Sequence, residues 1–301
     1  MQRSWRLRLA LAVQWGLGWV VAVAWLRCSG WLALLASPVL AALAVAAVLA
    51  IEFALGAALD QAPAGPRLAA IAAAWRSELV AHLRGFWWLQ PFRASDPRLH
   101  GAFATGRVAV LLVHGFGCNS AMWLPLLESG RLAGTTVSTI DLNPPCVSIE
   151  EHADRIDAAV RELKQRAGTQ RVGLLGHSMG GLAVLAYLRR HGDASVDRIV
   201  TLATPFMGTW VAHWLACPAA RQMRPRDPWR RTLIDDLAPG LPGRILCVAS
   251  RHDNIVIPRQ SAALPGARVL WVGSIGHFAL SCEPTIWQAA VDHILGKVEG
   301  L

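Results

Sequence analysis

Hydrophobic positions fall into three patterns along the chain. From Leu9 to Leu26, "LALAVQWGLGWVVAVAWL" runs 18 residues without a charge, and from Cys28 to Ile51, "CSGWLALLASPVLAALAVAAVLAI" runs 24. A helix rises 1.5 Å per residue, so about 20 apolar residues cross the hydrocarbon core of a bilayer. The second run reaches that length and the first approaches it. Only Arg27 lies between them, beside the turn-forming Cys28-Ser29-Gly30. Trp5, Trp25 and Trp31 stand near the ends, where interfacial anchors belong. Two transmembrane helices, forming a hairpin over residues 1–60, are expected. A signal peptide would suit Arg3, Arg6 and Arg8, but "WLRCSG" offers no small-x-small cleavage site. Arg27 directly before Cys28 makes a poor lipoprotein site, and two adjoining uncharged segments of this length are rare in a soluble core. Arg3, Arg6 and Arg8 precede the hairpin, and Arg67, Arg76 and Arg84 lie beyond it. Both outer ends are then expected on the cytoplasmic side of the inner membrane.

The second pattern fills a connector over residues 61–105. Pro66 suits a helix start, and Leu68, Ile71, Trp75, Leu79 and Leu83 recur at helical spacing up to a break at Gly85. Such a helix either lies on the membrane surface or packs on the next domain. The third pattern begins at Gly106. "RVAVLLVHG" is a continuous apolar run, as in a parallel strand buried on both faces. "TTVSTIDL", "RVGLLGHS", "DRIVTLATP", "RILCVAS" and "RVLWVGS" come after it, interleaved with helical segments. One of these starts at Ser148, which makes a capping box with Glu151. Others run from Met179 to about His191 and from about Pro284 to Leu295. Six strands with interleaved helices imply an α/β fold with a doubly wound, mostly parallel sheet over residues 106–301.

Composition narrows the class. Of 301 residues 54% are hydrophobic and the formal net charge is +9. The isoelectric point is about 10.2 and the mean hydropathy +0.37. The arginines are scattered and no nucleic-acid-binding motif accompanies them, so no nucleic acid is expected and a membrane surface is the better acidic partner. The six cysteines form no CxxC pair, which argues against a zinc site, and no metal is expected. Cys247, inside an apolar strand run, reads as a buried thiol.

The chemistry centres on Gly176-His177-Ser178-Met179-Gly180. A G-x-S-x-G sequence between a strand and a helix is a nucleophile elbow, with glycines where side chains would clash in a sharp turn. Ser178 then projects at a helix N-terminus, whose dipole favours developing negative charge. A serine nucleophile needs a base, and the base needs an orienting acid. Asp253 comes after the fifth strand run and His277 after the sixth, so both fall at the same sheet edge as Ser178. Asp235 and Asp236 compete as acids but have no strand before them; His252 sits on the wrong loop to be the base. Backbone N–H groups of Phe116, after His114-Gly115, and of Met179 are the expected oxyanion donors. His114 is expected to hold its loop by hydrogen bonding.

From about Gly106 to Leu295, "VHGFG", "GHSMGG", "RHDNIV" and "GHF" resemble the α/β-hydrolase superfamily in order and spacing. "TLATPFMGT" resembles the T-P-H-x-G-S/T segment of bacterial triacylglycerol lipases and related esterases, with Phe206 where they usually carry histidine. The resemblance implies a serine hydrolase of carboxylic esters, a lipase or esterase acting through Ser178, His277 and Asp253 without a cofactor. A thioesterase or acyltransferase on the same fold, or a catalytically inactive membrane scaffold, are the alternatives. The segment 205–243 is a long insertion, placed as a lid would be. Its Trp210 and Trp214, with Phe206, are expected to line an acyl pocket. An acyl ester or lipid substrate and a membrane are the expected partners.

Overall fold

The two uncharged runs form helices α1 (Gln2–Ala24) and α2 (Gly30–Leu59). The computed structural model describes residues 2–60, 68–96 and 108–297. Pro66, Arg67 and Gly106 lie outside the described residues. Both helices are long and apolar enough to cross a membrane, and only 11% and 17% of their most hydrophobic windows are buried. Their apolar surface points outward, the reverse of a soluble core helix. The pair is closely packed: a Cβ at Gly18 would stand 2.5 Å from the Ser37 carbonyl oxygen, so only glycine lets the backbones approach this far.

The connector forms α3 (Leu68–His82), which continues without a break into a π-helical segment, Leu83–Leu89, and a last turn, α4 (Gln90–Phe92). Gly85 does not end the helix. Its missing side chain admits the Phe278 ring, whose Cε1 would lie 2.5 Å from a Cβ there. The buried face of α3 is Ala74, Glu78 and Ala81. The expected apolar stripe stays partly exposed, with Leu68 at 84%. The helix packs against both α2 and the sheet domain.

The remaining chain alternates strands and helices. In order they are β1 (Ala109–Val113), α5 (Leu124–Glu128), β2 (Thr136–Ile140), α6 (Ala153–Ala167), β3 (Val172–His177), α7 (Met179–His191) and β4 (Val196–Leu202). The inserted segment carries a 3-10 helix at Trp210–Trp214, then the short α8 (Pro218–Gln222) and α9 (Pro228–Asp235). β5 (Ile245–Ser250), β6 (Arg268–Val272) and α10 (Pro284–Ile294) complete the chain. The six strands pair in parallel in the order β2-β1-β3-β4-β5-β6. The interior strands β1 and β3 are buried along their whole length. That burial explains why they read as unbroken apolar runs and not as alternating ones. The Ser148–Glu151 capping box is present at the helical turn leading into α6.

Candidate active site

The chain reverses between β3 and α7 within one residue. Ser178 has φ 54° and ψ −125°, a conformation costly for a residue with a side chain. Its neighbours make the turn possible. A Cβ at Gly176 would lie 2.8 Å from Gly181 Cα, and one at Gly180 2.6 Å from the His114 carbonyl oxygen. The turn is held from β4 and the residues just after it: Ser178 N–H donates to the Leu202 carbonyl at 2.7 Å, and Thr204 Oγ1 donates to the Ser178 carbonyl at 3.0 Å. Met179, the next residue, opens α7, where first-turn amides have no acceptor within the helix.

His277 and Asp253 meet as expected. His277 Nδ1 lies 3.0 and 3.1 Å from the two Asp253 carboxylate oxygens. A carboxylate only accepts, so Nδ1 carries the proton and Nε2 is the nitrogen available for exchange. Asp253 Oδ1 also accepts from Ile255 and Val256 N–H at 2.8 and 2.7 Å. Burial pushes the Asp253 pKa up, but His277 and these donors outweigh it and hold it below the usual range. Burial pushes His277 down. The carboxylates of Asp253, then Glu78 and Glu52, outweigh that and raise it above 6.5.

Ser178 and His277 line one cavity of about 750 Å³, with Phe116 among its walls. His177 shares it. Its Nε2–H donates to the His277 carbonyl at 3.2 Å, and burial pushes its pKa down to about 3, so the ring is neutral. His114 holds its loop. The Leu142 N–H donates to His114 Nε2 at 3.0 Å, which leaves Nδ1–H to donate to the Gly115 carbonyl at 2.8 Å. His252 is likewise spent on structure, its Nδ1 accepting from Ser274 N–H at 3.0 Å.

The insertion meets the cavity through other residues than expected. Phe206 is fully buried in the core and does not line the cavity; its carbonyl accepts from Arg230 at 2.6 Å. Trp210 and Trp214 line a smaller adjoining cavity of about 410 Å³ against Leu55 and Leu59 of α2. In the main cavity their places are taken by Val211, Ala212, Leu215 and Met223. An exposed tryptophan and a wall residue carry the same apolar signal in sequence.

Four polar residues that sequence reasoning passed over tie the loops of the site to the N-terminal segment. Glu78 on α3 accepts from Phe278 and Ala279 N–H at 3.0 and 2.9 Å, just beyond His277. Burial, only partly offset by those donors, raises its pKa to about 7. Glu52 on α2 accepts from Asn254 Nδ2 at 2.7 Å, and Asn254 Oδ1 accepts from His277 N–H at 3.0 Å. Gln90 on α4 clamps Asn119, accepting from its N–H at 2.8 Å and its side-chain amide at 2.9 Å. A buried ion pair, Asp60–Arg259 at 2.8 Å, closes the end of α2, and Arg259 Nε donates to the Asp253 carbonyl at 3.2 Å. Among the described residues, no group of three or more His, Cys, Asp or Glu side chains is arranged to hold a metal ion. All six cysteines are unbridged.

Residues 108–241 match the family model described as the alpha/beta hydrolase fold. No curated protein matches the chain in sequence. Among solved structures, the mature form of lipase BlEst2 from Bacillus licheniformis superposes with a TM-score of 0.52 at 21% identity, covering 58% of this chain and 86% of that one. Its propeptide form gives 0.54 at 22% identity, over 67% of this chain and 52% of that one. Lipase B of Aspergillus fumigatus gives 0.54 at 20% identity, over 64% of this chain and 53% of that one. At such identities the likeness concerns the fold. The parallel sheet order, the glycine-bracketed turn at Ser178 and the matching family model together give the chain from β1 to α10 the α/β-hydrolase fold.

Proposed function

We propose that the protein is a membrane-tethered serine hydrolase of carboxylic esters. The observation that carries this reading is the buried His277–Asp253 pair at 3.0 Å, whose histidine shares one cavity with a serine in strained backbone geometry. Ser178 Oγ attacks the ester carbonyl while His277 Nε2 takes its proton. The carbonyl oxygen becomes an oxyanion held by the N–H groups of Phe116 and Met179. The tetrahedral intermediate collapses, His277 returns the proton to the leaving alcohol, and an acyl-serine remains. Water, activated by the same imidazole, releases the acid and restores Ser178. Asp253 keeps the imidazole in the required tautomer and stabilises its charged form. Labelling with a fluorophosphonate probe tests the reading: the wild type is labelled and Ser178→Ala is not. Labelling that persists in the alanine variant removes Ser178 as the nucleophile.

Retention of the hairpin in the mature protein belongs to the same reading. Removal of α1 and α2 as a signal segment would leave Asn254 and the buried Arg259 without their partners Glu52 and Asp60. The outer arginines favour a cytoplasmic hydrolase domain. A C-terminal alkaline phosphatase fusion should then stay inactive and a fluorescent-protein fusion should glow; the reverse pair of outcomes puts the domain outside.

A further inference from the structure

The cavity does not end at the hydrolase domain. On one side it is walled by Leu17, Gly18 and Val21 of α1, and on another by residues of α2 from Glu52 back to Leu40. At 1.5 Å per residue, Leu40 to Glu52 is about 18 Å of helix. Most polar groups gather around Ser178, His277, Glu78 and Asn254; Gln14 of α1 also lines the cavity, its Oε1 accepting from Trp87 Nε1 at 3.2 Å, and the α2 wall is aliphatic at Leu40, Ala44 and Val45. A cavity wholly inside the protein would bury its wall residues. Here Leu17, Val21 and Val48 line it and yet are 63%, 41% and 55% exposed. The cavity is open along the flank of the two helices that are apolar enough to lie in a bilayer.

We infer that this cavity is the acyl channel for a membrane lipid, which enters sideways through the gap edged by Leu17, Val21 and Val48. The inference rests on the serine-hydrolase reading and names its substrate class: a long-chain acyl ester of a membrane lipid. Three features favour that occupant. The channel joins the reacting serine to a surface that faces hydrocarbon, so the chain leaves one apolar medium for another. Its polar end receives the ester and its aliphatic end the methyl terminus. Its length along α2 suits a long acyl chain; a short one leaves most of the wall unfilled. The lipid ester bond is cleaved as described above, the alcohol leaving with the proton from His277 and water supplying the oxygen of the released fatty acid.

Ala44 stands about 12 Å along α2 from Glu52, and its exposure leaves room for a larger side chain. In full-length protein reconstituted in nanodiscs, Ala44→Trp is expected to lower the ratio of kcat/KM for p-nitrophenyl palmitate to that for p-nitrophenyl butyrate at least tenfold. Val48→Trp, nearer Glu52 on the same helix, tests the same wall should the first variant not fold; fluorophosphonate labelling reports folding in each. An unchanged ratio, or an equal fall for both esters, overturns the channel. Loss of butyrate hydrolysis in the wild type overturns instead the hydrolase reading beneath it. The source of the chain is read from phosphatidylglycerol and diacylglycerol in the bilayer itself. Fatty acid released by the wild type and reduced in Ala44→Trp supports sideways access. Hydrolysis of dispersed palmitate ester with no release from either bilayer lipid overturns it.

Discussion

The two halves of the candidate active site are built differently. The serine half is local: β3, the turn and α7 are contiguous in sequence, and Ser178 is pinned by β4 and by Thr204 just beyond it. The histidine–acid half is assembled across the molecule. Its loops after β5 and β6 are held by Glu52, Asp60 and Glu78, partners about 200 residues away on the hairpin and connector. The serine turn is held from within the sheet domain, whereas the histidine–acid loops also take contacts from the N-terminal segment. Under the proposed function this difference makes the hairpin more than a tether, because Glu52 holds Asn254, which accepts from the His277 N–H.

Variants on the two halves should separate by size of effect. Ser178→Ala removes the nucleophile and is expected to lower kcat by on the order of a million-fold, leaving oxyanion and binding effects. Asp253→Asn should leave the fold intact and cost roughly ten-thousand-fold, since the imidazole loses the acceptor that fixes its tautomer. Ester hydrolysis measured with the wild type checks both. If Asp235→Asn or Asp236→Asn carries the larger loss, the wrong carboxylate has been assigned to His277.

The same division explains what could be read from sequence. The strands, the elbow, the capping box and the order of Ser178, Asp253 and His277 rest on spacing within about ten residues of each feature. Glu78 and Gln90 gave no such signal, because their partners are distant and nothing local marks them. Glu52 did leave a trace, being the sole charge inside the 30-residue α2, and a lone acid in such a helix points to function. The connector departs from its sequence pattern for a physical reason. Helical spacing of apolar residues assumes that they turn toward the protein. Beside an outward-facing apolar hairpin that assumption fails, and α3 turns Ala74, Glu78 and Ala81 inward instead. Phe206, Trp210 and Trp214 fell short in another way, since apolarity alone does not separate core, rim and wall.

Breaking the anchor contact should cost less than breaking the triad, but more than a surface pair. Asp60 and Arg259 have side chains only 2% and 5% exposed. Asp60→Ala leaves a buried guanidinium unpaired, for which about 3–5 kcal/mol is the usual loss. Thermal inactivation should shift down by on the order of 10 °C. Replacing both partners, as Asp60→Asn with Arg259→Met, should recover part of it, because no charge is then left uncompensated. Glu150–Arg189, on the serine half, is the comparison: at 26% and 22% exposed it is screened by solvent, and its loss should cost about 1 kcal/mol or less. Equal shifts for the two pairs would remove the claimed asymmetry.

The smallest effect is expected at Glu78, a positioning residue, and appears as a change in pH dependence more than in rate. Its carboxylate is one of the groups that raise the His277 pKa, after Asp253. General-base action needs neutral His277, so kcat/KM should rise with pH along a limb lying above 6.5. Glu78→Gln removes the charge while keeping an oxygen to accept one of the two N–H groups. The limb should then move to lower pH, with kcat on the alkaline plateau little changed; a purely structural role would lower the plateau and leave the limb in place. Stability gives an independent reading. The Glu78 pKa is raised from 4.5 to about 7 in the folded protein, so the folded state binds the proton more tightly than the unfolded chain does. This group's contribution to stability is full below pH 4.5 and is lost as pH rises through about 7. Glu78→Gln should flatten that part of the stability profile and so be relatively most stabilising at the alkaline end. An identical slope in both proteins would mean that the carboxyl ionises in the fold as it does in water, and the raised pKa of Glu78 would have to be withdrawn.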